Sequence, residues 1–150
     1  MNGGYTMSMV NELCTNNKEW SGKKKRIWQA ALYVRLSRED GDKEESDSVS
    51  NQKALLHQFV ELEADIEVSD VYVDDGWSGT NFERPEFNRM MSDIKAGKIE
   101  CVIVKDLSRL GRNYIEVGQY IEKIFPLMDI RFISITDNLD SYKNPQTMNN

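Results

Sequence analysis

Ser37 lies just past an apolar run and between two cations, in the stretch LYVRLSRED at positions 32–40. A serine hydroxyl is a weak nucleophile unless a base takes its proton or surrounding charge polarises its reaction centre. The single histidine, His57, falls inside an amphipathic segment, and no Gly-x-Ser-x-Gly elbow surrounds Ser37. A carboxyl-ester hydrolase is therefore poorly supported. What the chain supplies instead is arginine: Arg35 beside the serine, Arg109 and Arg112 in SRLGR, and Arg84 after the second apolar run. Guanidinium stays protonated and its planar fork matches phosphate oxygens two at a time. Several guanidiniums converging on one hydroxyl describe phosphoryl transfer, with the cations stabilising charge that develops in the transition state. Metal-assisted transfer is the rival, with Asp74, Asp75 and Asp106 as available carboxylates. The chain has no Gly-x-x-x-x-Gly-Lys-Ser/Thr loop, paired histidines or cysteine cluster, so nothing in it demands a metal.

The elements that must bring these residues together follow from periodicity. IWQAALYVR (27–35) reads as a strand buried on both sides, and SVSNQKALLHQFVELEAD (48–65) as a helix capped by Ser48 or Ser50. IEVSDVYVDD (66–75) alternates as a strand before GWSGTNFERP breaks it. Pro85 suits the first turn of a helix that Gly97 would stop. IECVIVKDL (99–107) is a third strand. NYIEVGQYIEKIF (113–125) is an amphipathic helix with Tyr114, Val117, Ile121, Ile124 and Phe125 on one side, ended or kinked by Pro126. DIRFISIT (129–136) is a fourth strand.

Strands alternating with helices predict an α/β domain of three layers, a mostly parallel four- to five-stranded sheet with helices on both faces. Ligands of such sheets bind outside the carboxyl ends of the strands. Arg35 and Ser37 follow the first strand, Asp75 and Ser78 the second, and Ser108, Arg109 and Arg112 the third, so all should gather at one edge.

Composition suits this picture. The chain has 150 residues, 39% of them apolar and 29% charged, enough for one domain with a core. No apolar run approaches the roughly 20 residues needed to cross a bilayer, and no secretory signal opens the chain. Cys14 and Cys101 make no disulfide framework, which fits a reduced, bacterial-type cytoplasm. A net charge of −6 argues against a strong free-standing nucleic-acid binder, although KKKR at 23–26 is basic. REDGDKEESD at 38–47 carries six acids against two bases. Residues 1–26 read as an irregular arm, 27–140 as the folded domain and 141–150 as a loose tail.

Four segments together resemble the catalytic domain of the serine recombinases, the resolvase/invertase family. YVRLS (33–37) resembles the nucleophile strand of that family, with Ser37 as attacking serine beside Arg35. SVSNQ (48–52) resembles the start of the following helix, where Gln52 matches an active-site glutamine. DDGWSGTNFERPEF (74–87) resembles the loop that carries an Asp, a Ser and an Arg, here Asp75, Ser78 and Arg84. VKDLSRLGRN (104–113) resembles the segment with two active-site arginines, here Arg109 and Arg112. The likeness spans roughly 27–138, and the acidic insertion together with the SGTNFERP loop is most similar to the large transposon-type recombinases. In one place the chain departs from the family pattern: Ser108 occupies the position before RLGR that usually holds Asp. On an extended backbone Asp106, two residues earlier, would point to the same side and could take over that role.

The resemblance implies a site-specific DNA recombinase. Ser37 attacks a DNA phosphodiester, leaving a 5′-phosphoserine link and a free 3′-hydroxyl; strands exchange and are resealed without metal, ATP or other cofactor. It implies DNA as partner, self-association as dimer or tetramer in the full-length enzyme, no membrane, and C-terminal DNA-binding domains beyond this piece. It also implies a piece that binds DNA weakly and forms at most a loose dimer. Two other readings stand beside it, a catalytically silent assembly module of the same fold and a serine-dependent phosphatase-like hydrolase.

Overall fold

The computed structural model describes residues 26–36, 48–75, 84–111 and 113–143. The expectations for Ser37, Ser78, Arg112, the acidic segment 38–47 and nearly all of the arm fall outside these residues.

Five strands form one sheet in the order β2-β1-β3-β4-β5. They are β1 (Trp28–Arg35), β2 (Ile66–Asp74), β3 (Cys101–Val104), β4 (Arg131–Ser134) and β5 (Leu139–Asp140). The first four are parallel and β5 closes the edge antiparallel to β4. Side chains alternate across the pleat. On one face Trp28, Ala30, Leu32 and Val34 of β1 join Cys101, Ile103, Ile133 and Leu56 of helix α1 (Val49–Glu61). On the other, Ala31 and Tyr33 join Val102, Val104 and Phe132 under Phe87, Met90 and Ile94 of helix α2 (Pro85–Lys95). The sheet is thus covered on both faces, as the continuous apolar runs of its inner strands require.

The helix ends obey local chemistry. The Ser48 hydroxyl caps α1 by accepting the Asn51 amide at 3.1 Å. Gly97 ends α2 with φ of 82°, and the amides of Gly97 and Lys98 turn back to the Ile94 and Asp93 carbonyls. That left-handed position is one that glycine occupies without steric cost.

Three elements differ from the periodicity reading. β3 stops at Val104, and Leu107–Arg109 form a 3-10 turn instead of extended chain. The third helical stretch is α3 (Tyr114–Gln119), a π turn (Tyr120–Ile124) and α4 (Phe125–Leu127). Pro126 lies in the last turn as expected: the wider π turn precedes it and the helix ends one residue beyond, at Leu127. The π turn inserts about one residue of helical phase, about 100°. Ile121 and Phe125 are buried, but Tyr114, expected on the same face, is 85% exposed beside exposed Ile115. Finally, residues 141–143 are not loose: the Ser141 hydroxyl accepts the Phe132 amide at 2.9 Å, and the Asp140 carboxylate accepts the Tyr142 amide at 3.0 Å.

At the end of the sheet where β1 and β4 begin, Arg131 is buried and grips Asp140 with two hydrogen bonds, 3.0 and 2.7 Å. Trp28 and Tyr142 cover its guanidinium. The opposite end carries the candidate chemistry.

Candidate active site

Arg35 is the last residue of β1, Asp74 the last of β2, and the 3-10 turn follows β3 after two residues. Parallel pairing therefore delivers all three to the carboxyl edge of the sheet, as expected from the strand order. β1 and β2 stay paired to the end, with the Leu36 amide donating to the Asp74 carbonyl at 3.0 Å.

The 3-10 turn is braced by opposite charges at its two ends. Its first amides point to carboxylates: Leu107 N–H to Asp137 at 2.9 Å and Ser108 N–H to Asp106 at 3.0 Å. Its last carbonyls accept from guanidiniums. Arg35 Nη2 reaches the Ser108 carbonyl at 2.6 Å and Arg35 Nε the Arg109 carbonyl at 3.3 Å. Arg84 Nη1 reaches the Leu110 carbonyl at 2.6 Å. The arrangement suits the turn dipole, since its amide end is partly positive and its carbonyl end partly negative.

Arg109, carried on the turn, reaches back and donates from Nη1 to the Arg35 carbonyl at 2.8 Å. Gln52, fully buried on α1, donates to the same carbonyl at 3.1 Å. Arg109 is only 3% exposed, whereas Arg35 is half-buried. Arg84 lies over the Phe87 ring at 4.0 Å and within 3.9 Å of Glu116, so it joins the start of α2 to the turn and to α3.

Asp106 and Ser108 do not lie side by side along an extended strand. The turn folds Ser108 back, and the Asp106 carboxylate accepts both its amide and its hydroxyl while lying 3.4 Å from Arg109 Nε. Asp106 thus sits beside the arginine, although the extended-backbone argument for it fails.

Asp75 is exposed just past β2. Its neighbour Asp74, which the sequence reading considered only as a metal ligand, is buried and accepts three hydrogen bonds. These come from the Tyr33 hydroxyl at 2.8 Å and from the Glu86 and Phe87 amides at 3.0 and 2.9 Å. It caps α2 from outside the helix, whose own N-cap residue, Arg84, offers no acceptor. One clue was legible: a helix opening with Arg-Pro lacks a capping side chain of its own, and Asp74 shares the buried face of Tyr72. Burial, with the nearby Asp74 carboxylate adding to it, pushes the Tyr33 hydroxyl far above its ordinary range, so it remains a donor.

His57 is exposed on α1. A groove of about 820 Å³ opens beside the turn, walled by Leu107, Ser108, Gly111 and the exposed side of α3.

The open, mostly parallel α/β sheet with helices on both faces and arginines braced at its carboxyl edge is a fold of the resolvase type. The family description "Resolvase, N terminal domain" matches residues 30–149. The N-terminal catalytic domain of TP901-1 integrase is 28% identical with a TM-score of 0.69, covering 81% of this chain and 89% of that one. A resolvase family site-specific recombinase from Streptococcus pneumoniae is 32% identical with a TM-score of 0.68, covering 83% and 82%. The C-terminal catalytic domain of ISC1926 TnpA, an IS607-like serine recombinase, shares the fold at 23% identity and a TM-score of 0.56, over 71% and 69%. The chain belongs to the resolvase family and is a serine recombinase catalytic domain.

Proposed function

We propose that this domain cuts and rejoins DNA at specific sites with Ser37 as nucleophile. The Ser37 oxygen bonds to a backbone phosphorus, the bond from phosphorus to the 3′ oxygen breaks, and that oxygen leaves with a proton as a 3′-hydroxyl. The DNA remains joined through a 5′-phosphoserine. After strand exchange in a tetramer, a 3′-hydroxyl attacks the link and frees the serine. One phosphoester replaces another at each step, so neither ATP nor a metal is needed to conserve the bond.

The observation that carries this reading is the cross-brace between Arg109 and Arg35, the latter two residues before Ser37 in sequence. The guanidiniums now donate to peptide carbonyls. A phosphate is a stronger, charged acceptor for the same fork, so DNA can displace these bonds from the more accessible Arg35. Arg109, being buried, braces the strand ends from behind in this arrangement and would meet phosphate only if the turn opened. Arg112 joins Arg35 at the phosphate. Gln52 and Arg84 hold the arginine edge together, while Asp75 and Ser78 position the phosphate from the β2 side. Asp106 and Ser108 act together beside Arg109 where the family usually has a single Asp. The integrase and resolvase neighbours support DNA as partner and self-association of the intact enzyme. We assign residues 27–140 to catalysis and place site recognition in further domains of the kind the large recombinases carry.

The test is direct. The intact protein is incubated in EDTA without ATP with DNA flanking its own gene, quenched in detergent, and its DNA-linked peptides are mapped by mass spectrometry. A nucleotide on Ser37, absent from Ser37→Ala, is expected. A link on another residue would overturn the assignment. Steady turnover of p-nitrophenyl phosphate, lost in Ser37→Ala, would favour a phosphatase instead.

A further inference from the structure

We infer that Asp137, on the β4–β5 turn, is a positioning residue for strand cleavage, holding the 3-10 turn from which Arg109 reaches the nucleophile strand. The inference rests on the cleavage reaction proposed above.

Asp137 belongs to the turn between β4 and β5, at the edge of the sheet away from β1. Its Oδ2 accepts the Leu107 amide at 2.9 Å and the buried Ser134 hydroxyl at 2.7 Å. Leu107 is the first residue of the turn, so its amide has no partner within the turn itself. The two segments already run together below this point, with the Ile135 amide donating to the Val104 carbonyl at 3.1 Å and Thr136 to Lys105 at 2.9 Å. The backbone ladder ends there. Asp137 continues it by one residue with a side chain, at the place where β3 gives way to the turn. Asn138 follows with φ of 55°, a left-handed conformation that lets the chain double back into β5 and leaves Asp137 at the head of the hairpin.

The geometric consequence falls on Arg109. Its guanidinium reaches the Arg35 carbonyl from a turn only three residues long, with no neighbouring coil of helix to fix its pitch. Asp106 constrains the second amide of the turn and Asp137 the first. Without Asp137 the first amide of the turn loses its anchor while Asp106, Arg35 and Arg84 hold the rest, so the turn can tilt at its β3 end, and a shift of about 1 Å in a catalytic constellation is enough to cost about 100-fold in rate. Ser134, fully buried, fixes the Asp137 carboxylate in turn.

The experiment uses the intact recombinase and the Ser37–DNA adduct assay. Asp137→Ala should form adduct at least about 10-fold more slowly at saturating DNA, with DNA affinity within about 2-fold of wild type. Asp137→Asn, which keeps an amide-accepting oxygen, should recover most of that rate. Hydrogen exchange should speed up at the Leu107 amide in Asp137→Ala while the Ile133 amide within β4 stays protected. A wild-type cleavage rate for Asp137→Ala would overturn the inference. So would an unchanged Leu107 amide, or an equal loss in the Ala and Asn variants. If Ser37→Ala still formed the adduct, the cleavage reading itself would fall; if only the Asp137 variants behaved as wild type, this inference alone would.

Discussion

Arg35 and Arg109 exchange hydrogen bonds across the end of the sheet, each guanidinium donating to the carbonyl of the other residue, at 3.3 Å and 2.8 Å. The exchange ties the end of β1 to the turn after β3, so the two arginines are not interchangeable charges. One is half-buried and the other is almost fully sealed.

That asymmetry predicts different costs. Arg109→Ala should destabilise the domain by about 2 kcal/mol, because it removes a buried guanidinium and leaves the part-buried Arg35 carbonyl and Asp106 carboxylate short of a charged donor. Arg35→Ala should cost less than about 1 kcal/mol in stability but at least about 100-fold in cleavage, as expected for loss of one phosphate-facing donor. Urea denaturation and the adduct assay, run on the same two variants, separate the effects. Equal stability losses would contradict the division.

Asp74 should matter through the helix it caps. Asp74→Ala removes the acceptor of the Tyr33 hydroxyl and of two helix amides, and should cost roughly 3 kcal/mol by urea denaturation. Tyr33→Phe removes one donor and should cost about 1 kcal/mol at neutral pH. Because the folded Tyr33 hydroxyl is held far above its ordinary value, the unfolded chain alone ionises there above about pH 10. Wild-type stability should then fall as pH rises past 10, and the gap between wild type and Tyr33→Phe should close. Curves that stay parallel across that range would contradict the burial of this hydroxyl.

The Arg131–Asp140 pair makes the opposite pH prediction. Burial alone would raise the Asp140 carboxyl, but the bonds and charge of Arg131, with the Tyr142 and Lys143 amides, hold it below the ordinary carboxylate range. Its stabilisation is present above about pH 4 and is lost as pH falls through the depressed folded value. Hydrogen bonds from Arg89 hold Asp70 and Glu86 low as well, so the informative quantity is a difference between variants. Asp140→Asn should cost about 3 kcal/mol at pH 7, leaving the buried guanidinium only the longer 3.5 Å contact with the Asp65 carboxylate, and less below pH 4.

Two glycines should respond in opposite directions. Gly97→Ala forces a side chain onto a backbone with φ of 82° and should lose about 1 kcal/mol. Gly118→Ala, within α3 and with nothing within 4 Å of the added carbon, should gain up to about 1 kcal/mol. Thermal melts of the two variants check both signs.

Much of this architecture was legible in the chain. Continuous apolar runs in LYV and CVIV, helical spacing in KALLHQFV, and Pro85 and Gly97 as helix signals are local patterns, written by neighbours a few residues apart. Alternating strands and helices make a parallel sheet, and a parallel sheet sends every strand end to one edge. Arg35 and Arg109 could therefore be placed together from sequence alone.

What tertiary structure decided is partner choice over long separations. No local pattern tells that Arg109 donates to a carbonyl 74 positions away, or that Asp137 receives an amide 30 positions away. Alternation with Tyr72 marks Asp74 rather than Asp75 as the inward acid, but not which donors it meets. Those donors depend on the register of β2 against β1, and that register shifts by one residue beside Ala30. Tyr114, spaced for the same face as Val117, stands exposed at the start of α3 while Val117 packs against the core. Each of these outcomes depends on hydrogen bonds satisfied only after distant segments have packed. The sequence determined which groups reach the edge of the sheet; packing decided which of them stay accessible there and which are buried holding the others in place.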